Sequence, residues 1–180
     1  MKFLILLFFY LSLQADIKTD MFDFYQNEQY EKVCNLGHRV LDINAKDEEF
    51  VSLYAFGCLK SDYIDRLTIP IALLKFSKES RSNSAYFSVI LMQKKLLYHS
   101  LVDNYDLSTL KLPTTDYILS KVFDLYSKLG KHERRNVYIF KDAKNPKVSY
   151  KLYLEKDNRL EKIVIEEFYG DVAIHRHIYW

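Results

Sequence analysis

The chain has 180 residues and a formal net charge of +2 at pH 7. A charge so close to neutral gives no electrostatic case for nucleic acid or an acidic membrane as partner. The sequence has four glycines and no phosphate-binding loop, nucleophile elbow or metalloprotease motif, so it favours a non-catalytic protein without a cofactor.

Residues 1–15 have the pattern of a secretory signal peptide: Lys2, an apolar run from Phe3 to Leu13, and the small residue Ala15. The run is shorter than the roughly 20 residues that a membrane-spanning helix needs. We therefore expect cleavage after Ala15, no stable membrane anchor afterwards, and a periplasmic location in a Gram-negative bacterium. A retained amphipathic anchor is the alternative.

The stretch from Tyr25 to Tyr63 predicts two helices joined by a short polar link. Apolar residues recur at helical spacing in both halves, and an acidic run that suits a helix N-terminus precedes the second half. The link, residues 44–47, is short enough to make the helices antiparallel neighbours. Each helix carries one of the chain's two cysteines, Cys34 and Cys58.

These two cysteines are expected to lie at the same height in the helix pair, because their midpoint, position 46, falls inside the link. In an oxidising compartment a facing pair predicts a disulfide, which would stabilise the fold by roughly 3 to 4 kcal/mol. Two buried free thiols are the alternative. The spacing differs from CxxC, and no histidine cluster lies beside it, which disfavours a redox catalyst or a structural zinc site.

The same stretch resembles a boundary between two tetratricopeptide repeats. The turn pattern that closes a repeat is filled by Val40, Leu41, Ile43, Asn44 and Ala45. Tyr54 and Ala55 form the large-then-small pair of the next helix, and Tyr30 recurs as Tyr63 after 33 residues, against a family period of 34. The resemblance covers about residues 22–76, and it implies stacked helical hairpins that serve recognition. Ala45 replaces the usual proline of the turn.

Helical patterning continues beyond this stretch. A helix over residues 63–76 is expected to break or bend at Pro70, because proline lacks an amide donor and clashes with the preceding turn. Residues 78–84 contain no apolar side chain and predict a polar connector. Ser84 would then cap a long helix over residues 85–102, whose broad apolar face predicts a central position in the core.

A loop over residues 104–113 is followed by another predicted helix. Thr114 or Thr115 is expected to cap it, and Gly130 stands where a left-handed residue ends a helix. Residues 131–136, KHERRN, predict a charged linker. A basic patch for an acidic partner is the alternative interpretation of this run.

After Asn136 the apolar period changes from helical to alternating. Four runs rich in β-branched and aromatic residues predict strands over residues 137–141, 148–156, 160–169 and 172–180. The fold class is therefore α+β, with helical hairpins followed by a four-stranded antiparallel β-meander. The corresponding domains are a helical region over residues 16–130 and the meander over residues 131–180.

The second and third strands are predicted to form a hairpin. If Asp157 and Asn158 make its two-residue loop, Leu152 pairs with Ile163 and Tyr150 pairs with Ile165. This register places apolar residues together on one face of the sheet, which we expect to rest on the helices.

One pattern in the last strand has the residue types of a metal site. His175 and His177 share a strand face with Tyr179, because strand side chains alternate. A histidine pair needs at least one further ligand to hold a metal, and Glu166, Glu167 or His99 could supply it. Polar side chains on the solvent side of an edge strand are the simpler interpretation.

Two functional hypotheses follow from the sequence. The first is a non-catalytic interaction or scaffold protein whose helical surface binds an envelope protein or a peptide segment. Its 15 tyrosines fit this hypothesis, since binding surfaces favour amphipathic aromatic side chains. The second is a small metal-binding protein or enzyme that uses the β face with His175 and His177.

Overall fold

The structure, a computed structural model, describes residues 17–180. The predicted signal peptide, residues 1–15, and its cleavage position lie outside the described residues. The described chain is helical first and then forms a four-stranded antiparallel sheet, which confirms the α+β class. By its contacts the chain divides into two compact units between Ala85 and Tyr86, inside one long helix.

Unit 1, up to Ala85, is helical. Its elements are α1 (residues 17–26), α2 (Tyr30–Arg39), α3 (Leu41–Asn44), α4 (Glu48–Lys60), a 3₁₀ turn (Ile64–Leu67), α5 (Thr68–Leu73) and the start of α6 (Lys78–Asp103). Among its fully buried large side chains are Met21, Phe50, Tyr54, Leu59, Ile64, Leu67 and Leu74. The core of unit 1 is therefore centred on α4, which contributes three of these side chains.

The predicted antiparallel helix pair is confirmed as α2 and α4. Asp47 caps α4, because its carboxylate accepts hydrogen bonds from the backbone N–H groups of Glu49 at 3.0 Å and Phe50 at 3.1 Å. The link is one residue shorter than predicted, since Asn44 is the last residue of α3. Its side-chain amide donates to the carbonyl oxygen of Val40 at 2.9 Å, which extends the helical turn.

Two glycines allow α2 and α4 to approach closely. A Cβ atom on Gly37 would lie 2.6 Å from Cδ2 of Tyr54, and one on Gly57 would lie 2.6 Å from Cγ1 of Val33. Next to these contacts, Cys34 on α2 and Cys58 on α4 have a Cα–Cα distance of 4.6 Å and form the predicted disulfide. The pairing is confirmed, and it joins α2 to α4 where the two helices are closely packed.

The predictions around Pro70 are wrong in two respects. Pro70 does not break a helix, because it lies in the first turn of α5, where a backbone N–H has no intrahelical partner in any case. The change of geometry precedes it, where the 3₁₀ turn gives way to α5 at Thr68. The helix also ends at Leu73 rather than at Phe76.

Residues 78–84 are not a connector but the first two turns of α6, which begins at Lys78 instead of Ala85. The hydroxyl oxygen of Ser77 accepts a hydrogen bond from the backbone N–H of Ser80 at 3.0 Å and so caps the helix. Ser84, the predicted cap, lies inside α6 and donates to the carbonyl oxygen of Ile71 at 2.8 Å. These turns lack apolar residues because they are largely exposed.

Unit 2, from Tyr86 onward, contains the rest of α6, the loop over residues 104–117, and α7 (Ile118–Ser127). Four strands follow: β1 (Val137–Lys141), β2 (Val148–Asp157), β3 (Leu160–Tyr169) and β4 (Val172–Tyr179). They form one antiparallel sheet in the order β1-β2-β3-β4, which confirms the meander. The buried side chains on the core face include Tyr138, Phe140, Tyr150, Leu152, Ile163, Ile165 and Tyr179.

Two local predictions in unit 2 are corrected. Neither Thr114 nor Thr115 caps α7; Tyr117 precedes its first residue, and the Thr115 hydroxyl instead accepts a hydrogen bond from the Tyr117 N–H at 3.3 Å. Gly130 has the left-handed conformation predicted for it, with φ +66°, although α7 already ends at Ser127.

The register of the β2–β3 hairpin differs from the prediction by two residues. Leu152 pairs with Ile165 and Leu154 with Ile163, because the loop consists of Asn158 and Arg159 instead of Asp157 and Asn158. Asn158 adopts φ 54°, a left-handed conformation that asparagine tolerates better than most residues. A shift of two preserves the side-chain face, so the predicted apolar face is still formed.

Candidate functional site

The most distinctive surface of unit 1 is a stripe of outward-facing residues on α4. Most of α4 is buried, but Glu49 is exposed, and Ser52, Leu53 and Phe56 are half-buried at helical spacing. Two of these four side chains are large and apolar. A helix in the centre of a unit that still presents Leu53 and Phe56 on its outer side has a second face suited to contact.

A groove of about 580 Å³ lies between α1 and α4. Its lining residues are Lys18, Thr19, Phe22, Glu49 and Leu53. The Phe22 side chain is 52% exposed, so α1 offers an aromatic ring beside the Leu53 side chain. The floor of this groove is therefore apolar, with charged groups at its rim.

A second groove, of about 730 Å³, lies next to the first, between α4 and the start of α6. It is lined by Lys46, Asp47, Glu48, Glu49, Ser52, Phe56, Ser77, Glu79, Ser80 and Asn83. The Asn83 side-chain amide donates to the Ser52 hydroxyl at 3.2 Å across this groove. Glu49 lines both grooves, so the two grooves adjoin and form one surface on α1, α4 and α6.

Lys18 ties α1 to the N-terminus of α4. Its ammonium group lies 3.0 Å from the Asp47 carboxylate and 2.7 Å from the Glu49 carboxylate. Partial burial opposes ionisation of Asp47, but the hydrogen bond from the Phe50 N–H and the Lys18 ammonium outweigh it and hold the Asp47 pKa below its usual value. This ion pair fixes the width of the α1–α4 groove at one end.

Glu48 ties α4 to the segment before α6. Its carboxylate accepts hydrogen bonds from the backbone N–H groups of Phe76 at 2.7 Å, Ser77 at 2.9 Å and Lys75 at 2.8 Å. These donors, Phe76 first, lower the Glu48 pKa to about 2, because they favour the ionised form. One side chain thus satisfies three consecutive amide groups and positions the far wall of the α4–α6 groove.

The disulfide lies behind this surface. Cys34 and Cys58 are both fully buried. The Arg66 guanidinium donates to Sγ of Cys34 at 3.3 Å and to Oδ1 of Asn35 at 2.8 Å, and it stacks on the Tyr63 ring at 4.6 Å. The disulfide therefore holds α2 against the inner side of α4, while the outer side forms the grooves.

The histidine pair of β4 forms with the predicted geometry but gains no third ligand. His175 and His177 have ring centroids 6.2 Å apart, and Glu167 lies opposite His175 on β3. Glu166 lies on the other face of the sheet, and His99 is paired with an aspartate of its own helix. Across residues 17–180, no three histidine, cysteine or acidic side chains come together where they could hold a metal ion.

Part of the basic run over residues 131–136 serves local structure. The His132 ring bonds the Gly130 carbonyl oxygen at 2.7 Å through Nδ1 and the Tyr138 hydroxyl at 3.2 Å through Nε2. The Arg134 guanidinium donates to the carbonyl oxygen of Val102 near the end of α6 at 3.3 Å. These bonds connect α6 and α7 to the first strand, as a linker requires.

Sequence reasoning missed the grooves because it treated α4 only as a partner of α2. Phe22 on α1 and Glu79 and Asn83 on α6 were not singled out as site residues. One signal was available: Leu53 and Phe56 lie on the side of α4 opposite Tyr54 and Cys58, so the helix is apolar on two faces.

No protein-family model, curated protein or solved structure matches the chain. The geometry of the grooves is therefore the basis for a functional conclusion. In the part of the chain that is described, no helix combines the length and the apolar character needed to cross a membrane.

Proposed function

We propose that the protein is an exported, periplasmic, non-catalytic interaction protein that binds a peptide segment of an envelope protein in the two grooves beside α4. The observation that carries this proposal is the adjoining pair of grooves, with Phe22, Leu53 and Phe56 as apolar contacts. Peptide recognition commonly uses such apolar grooves between helices, with polar groups that fix orientation.

The resemblance to tetratricopeptide repeats supports the proposal. In that arrangement, α1 with α2 and α4 with α5 are successive hairpins, and α6 opens the next one. The first helices of the hairpins, α1, α4 and α6, are the ones that line the grooves. In that arrangement, the groove-lining helices lie on one side of the helical stack.

Export is supported by the disulfide, since disulfides persist in oxidising compartments and are rare in the cytosol. The mass of the protein from its native source tests this part of the proposal. We expect a mature chain that starts at Asp16 and has lost two hydrogens at the cysteines. An intact N-terminus would contradict export.

The binding function is tested by panning a random library of twelve-residue peptides on the full chain. We expect enriched peptides to lose at least about tenfold in affinity against Leu53→Glu, because a charge replaces an apolar contact in the groove. Ile43→Glu is the matched control, since Ile43 is an exposed apolar residue of unit 1 that lies outside both groove linings.

Thermal unfolding of both variants tests whether each is still folded, so that a loss of affinity in Leu53→Glu can be assigned to the groove. Two results would overturn the binding proposal: panning that enriches no sequence, or enriched peptides that bind Leu53→Glu as tightly as the unmodified protein.

A further inference from the structure

The charges around the two grooves have an acidic surplus, although the whole chain has a formal charge of +2. The charged side chains that line the grooves are Lys18, Lys46, Asp47, Glu48, Glu49 and Glu79, a net charge of −2. The N-termini of α4 and α6 each add roughly half a positive charge, so the surface remains negative by about one charge.

The carboxylates differ in how many hydrogen bonds and ion pairs they already make within the protein, and in how exposed they are. Asp47 caps α4 and pairs with Lys18, and Glu48 is bound by three backbone N–H groups. Glu49 also contacts Lys18, but its side chain is 84% exposed. Glu79, in the first turn of α6, is exposed as well. The negative charge that a ligand meets is therefore centred on Glu49 and Glu79.

These two carboxylates stand on opposite walls of the α4–α6 groove, Glu49 on α4 and Glu79 on α6. A cation in that groove would meet one carboxylate from each wall. Glu49 also borders the α1–α4 groove, where Phe22 and Leu53 form the apolar floor. An apolar position and an acidic position are thus adjacent on one continuous surface.

From this arrangement we infer that the bound segment is basic, with a lysine or arginine between Glu49 and Glu79 and a neighbouring bulky apolar residue on Phe22 and Leu53. The inference rests on the proposed peptide-binding function and specifies the chemistry of its partner. Charge complementarity of this kind selects among partners more than it adds affinity, and salt weakens it where the groups are exposed.

Three fluorescein-labelled twelve-residue peptides test the inference by fluorescence anisotropy with the full chain. All three carry leucine and phenylalanine at the same positions, and the remaining variable positions are lysine, glutamate or serine. We expect the lysine peptide to bind most tightly, and its affinity to fall between 20 and 200 mM NaCl, roughly as screening of exposed charges predicts.

Variants of Glu79 locate the effect. Glu79→Lys is expected to weaken the lysine peptide about tenfold and to strengthen the glutamate peptide, and Glu79→Gln is expected to weaken the lysine peptide about threefold. Asp42→Lys is the matched control, because Asp42 is an exposed acidic residue on α3 outside both groove linings. It is expected to leave both affinities within about twofold.

The outcomes separate this inference from the function on which it rests. A lysine peptide that binds no better than the serine peptide, or that Asp42→Lys weakens as much as Glu79→Lys, would overturn the basic partner. Peptides selected by panning that depend on Leu53 but carry no basic residues would also overturn it while the binding function stands. Failure of the panning itself would overturn the function.

Discussion

Gly57 is a residue of α4 that packs tightly against α2. Val33 fills the space that a side chain would need, with its Cγ1 atom 2.6 Å and its Cβ atom 2.8 Å from the position of an added Cβ. Glycine therefore serves helix packing at this position, and its conformational freedom is not needed.

Gly57→Ala is expected to destabilise the protein. Overpacking typically costs about 1–3 kcal/mol, and the better helix propensity of alanine offsets about 1 kcal/mol of it. Urea unfolding measures the difference. The double variant Gly57→Ala with Val33→Ala should be about 1 kcal/mol more stable than the sum of the two single effects predicts, because Val33→Ala removes the methyl groups that clash with the added Cβ atom. Strictly additive effects of Gly57→Ala and Val33→Ala would contradict the close packing of α2 and α4.

Glu48 gives the protein a dependence on acid. Its pKa is about 2 in the folded chain, against 4.5 for an ordinary glutamate, so its stabilising bonds are complete above pH 4.5 and are lost as the pH falls toward 2. Glu48→Gln should be less stable than the unmodified protein at pH 7. Between pH 4.5 and pH 2, its free energy of unfolding should fall by less than that of the unmodified protein. Denaturation at a series of pH values measures this, with Glu49→Gln as control.

At the scale of elements, the disulfide joins the two helices on which unit 1 is built. Replacing Cys34 and Cys58 together with alanine is expected to lower the free energy of unfolding by roughly 3 to 4 kcal/mol, since the loop that the bond closes is no longer constrained in the unfolded chain. Denaturant titration with and without reductant gives the same quantity for the unmodified protein. Free alkylation of both thiols in native-source material would contradict the pairing.

Strand β4 provides the test of the alternative function. We expect no rise in melting temperature when zinc or copper is added, because no third ligand joins His175 and His177 in the described structure. The double variant His175→Ala with His177→Ala should give the same melting curve with and without metal. A metal-dependent rise of several degrees that the double variant loses would favour a metal-binding protein.

The elements also show what the sequence contains and what it lacks. Cys34 and Cys58 could be paired from their numbers because a short link fixes the register of two antiparallel helices. Residues 78–84 could not be recognised as helix, because these largely exposed turns contain no apolar side chain from which a helical period could be read. Part of what holds this helix start is Glu48, which lies about 30 positions earlier in the chain and binds the amides just before it.

The β2–β3 hairpin also shows which part of the structure the sequence could predict: the apolar face, but not the register. The predicted loop and the observed loop each have two residues, and both include Asn158. The residue types of the turn therefore did not distinguish the two registers. In the observed register Asn158 is the first loop residue, and it has the left-handed conformation. The apolar face was nevertheless predicted, because a slip of two residues keeps every side chain on its side of the sheet.

For the molecule as a whole, the candidate site depends on elements that are distant in the sequence. Phe22, Leu53 and Glu79 come from three helices, and only the stacking of α1, α4 and α6 brings them to one surface. Local patterns predicted the helices and one of their contacts, but not which sides would remain open. The repeat resemblance pointed to a binding role for the helical region without locating the surface.

The most direct test of the binding function is an amide chemical-shift map of the ¹⁵N-labelled full chain, titrated with a peptide selected by panning. We expect the largest changes around residues 18–22, 49–56 and 79–83, and small changes in the four strands. The Leu53→Glu variant should show none of them at the same peptide concentration. Shift changes confined to the sheet, or none at a saturating concentration, would contradict a binding site on α1, α4 and α6.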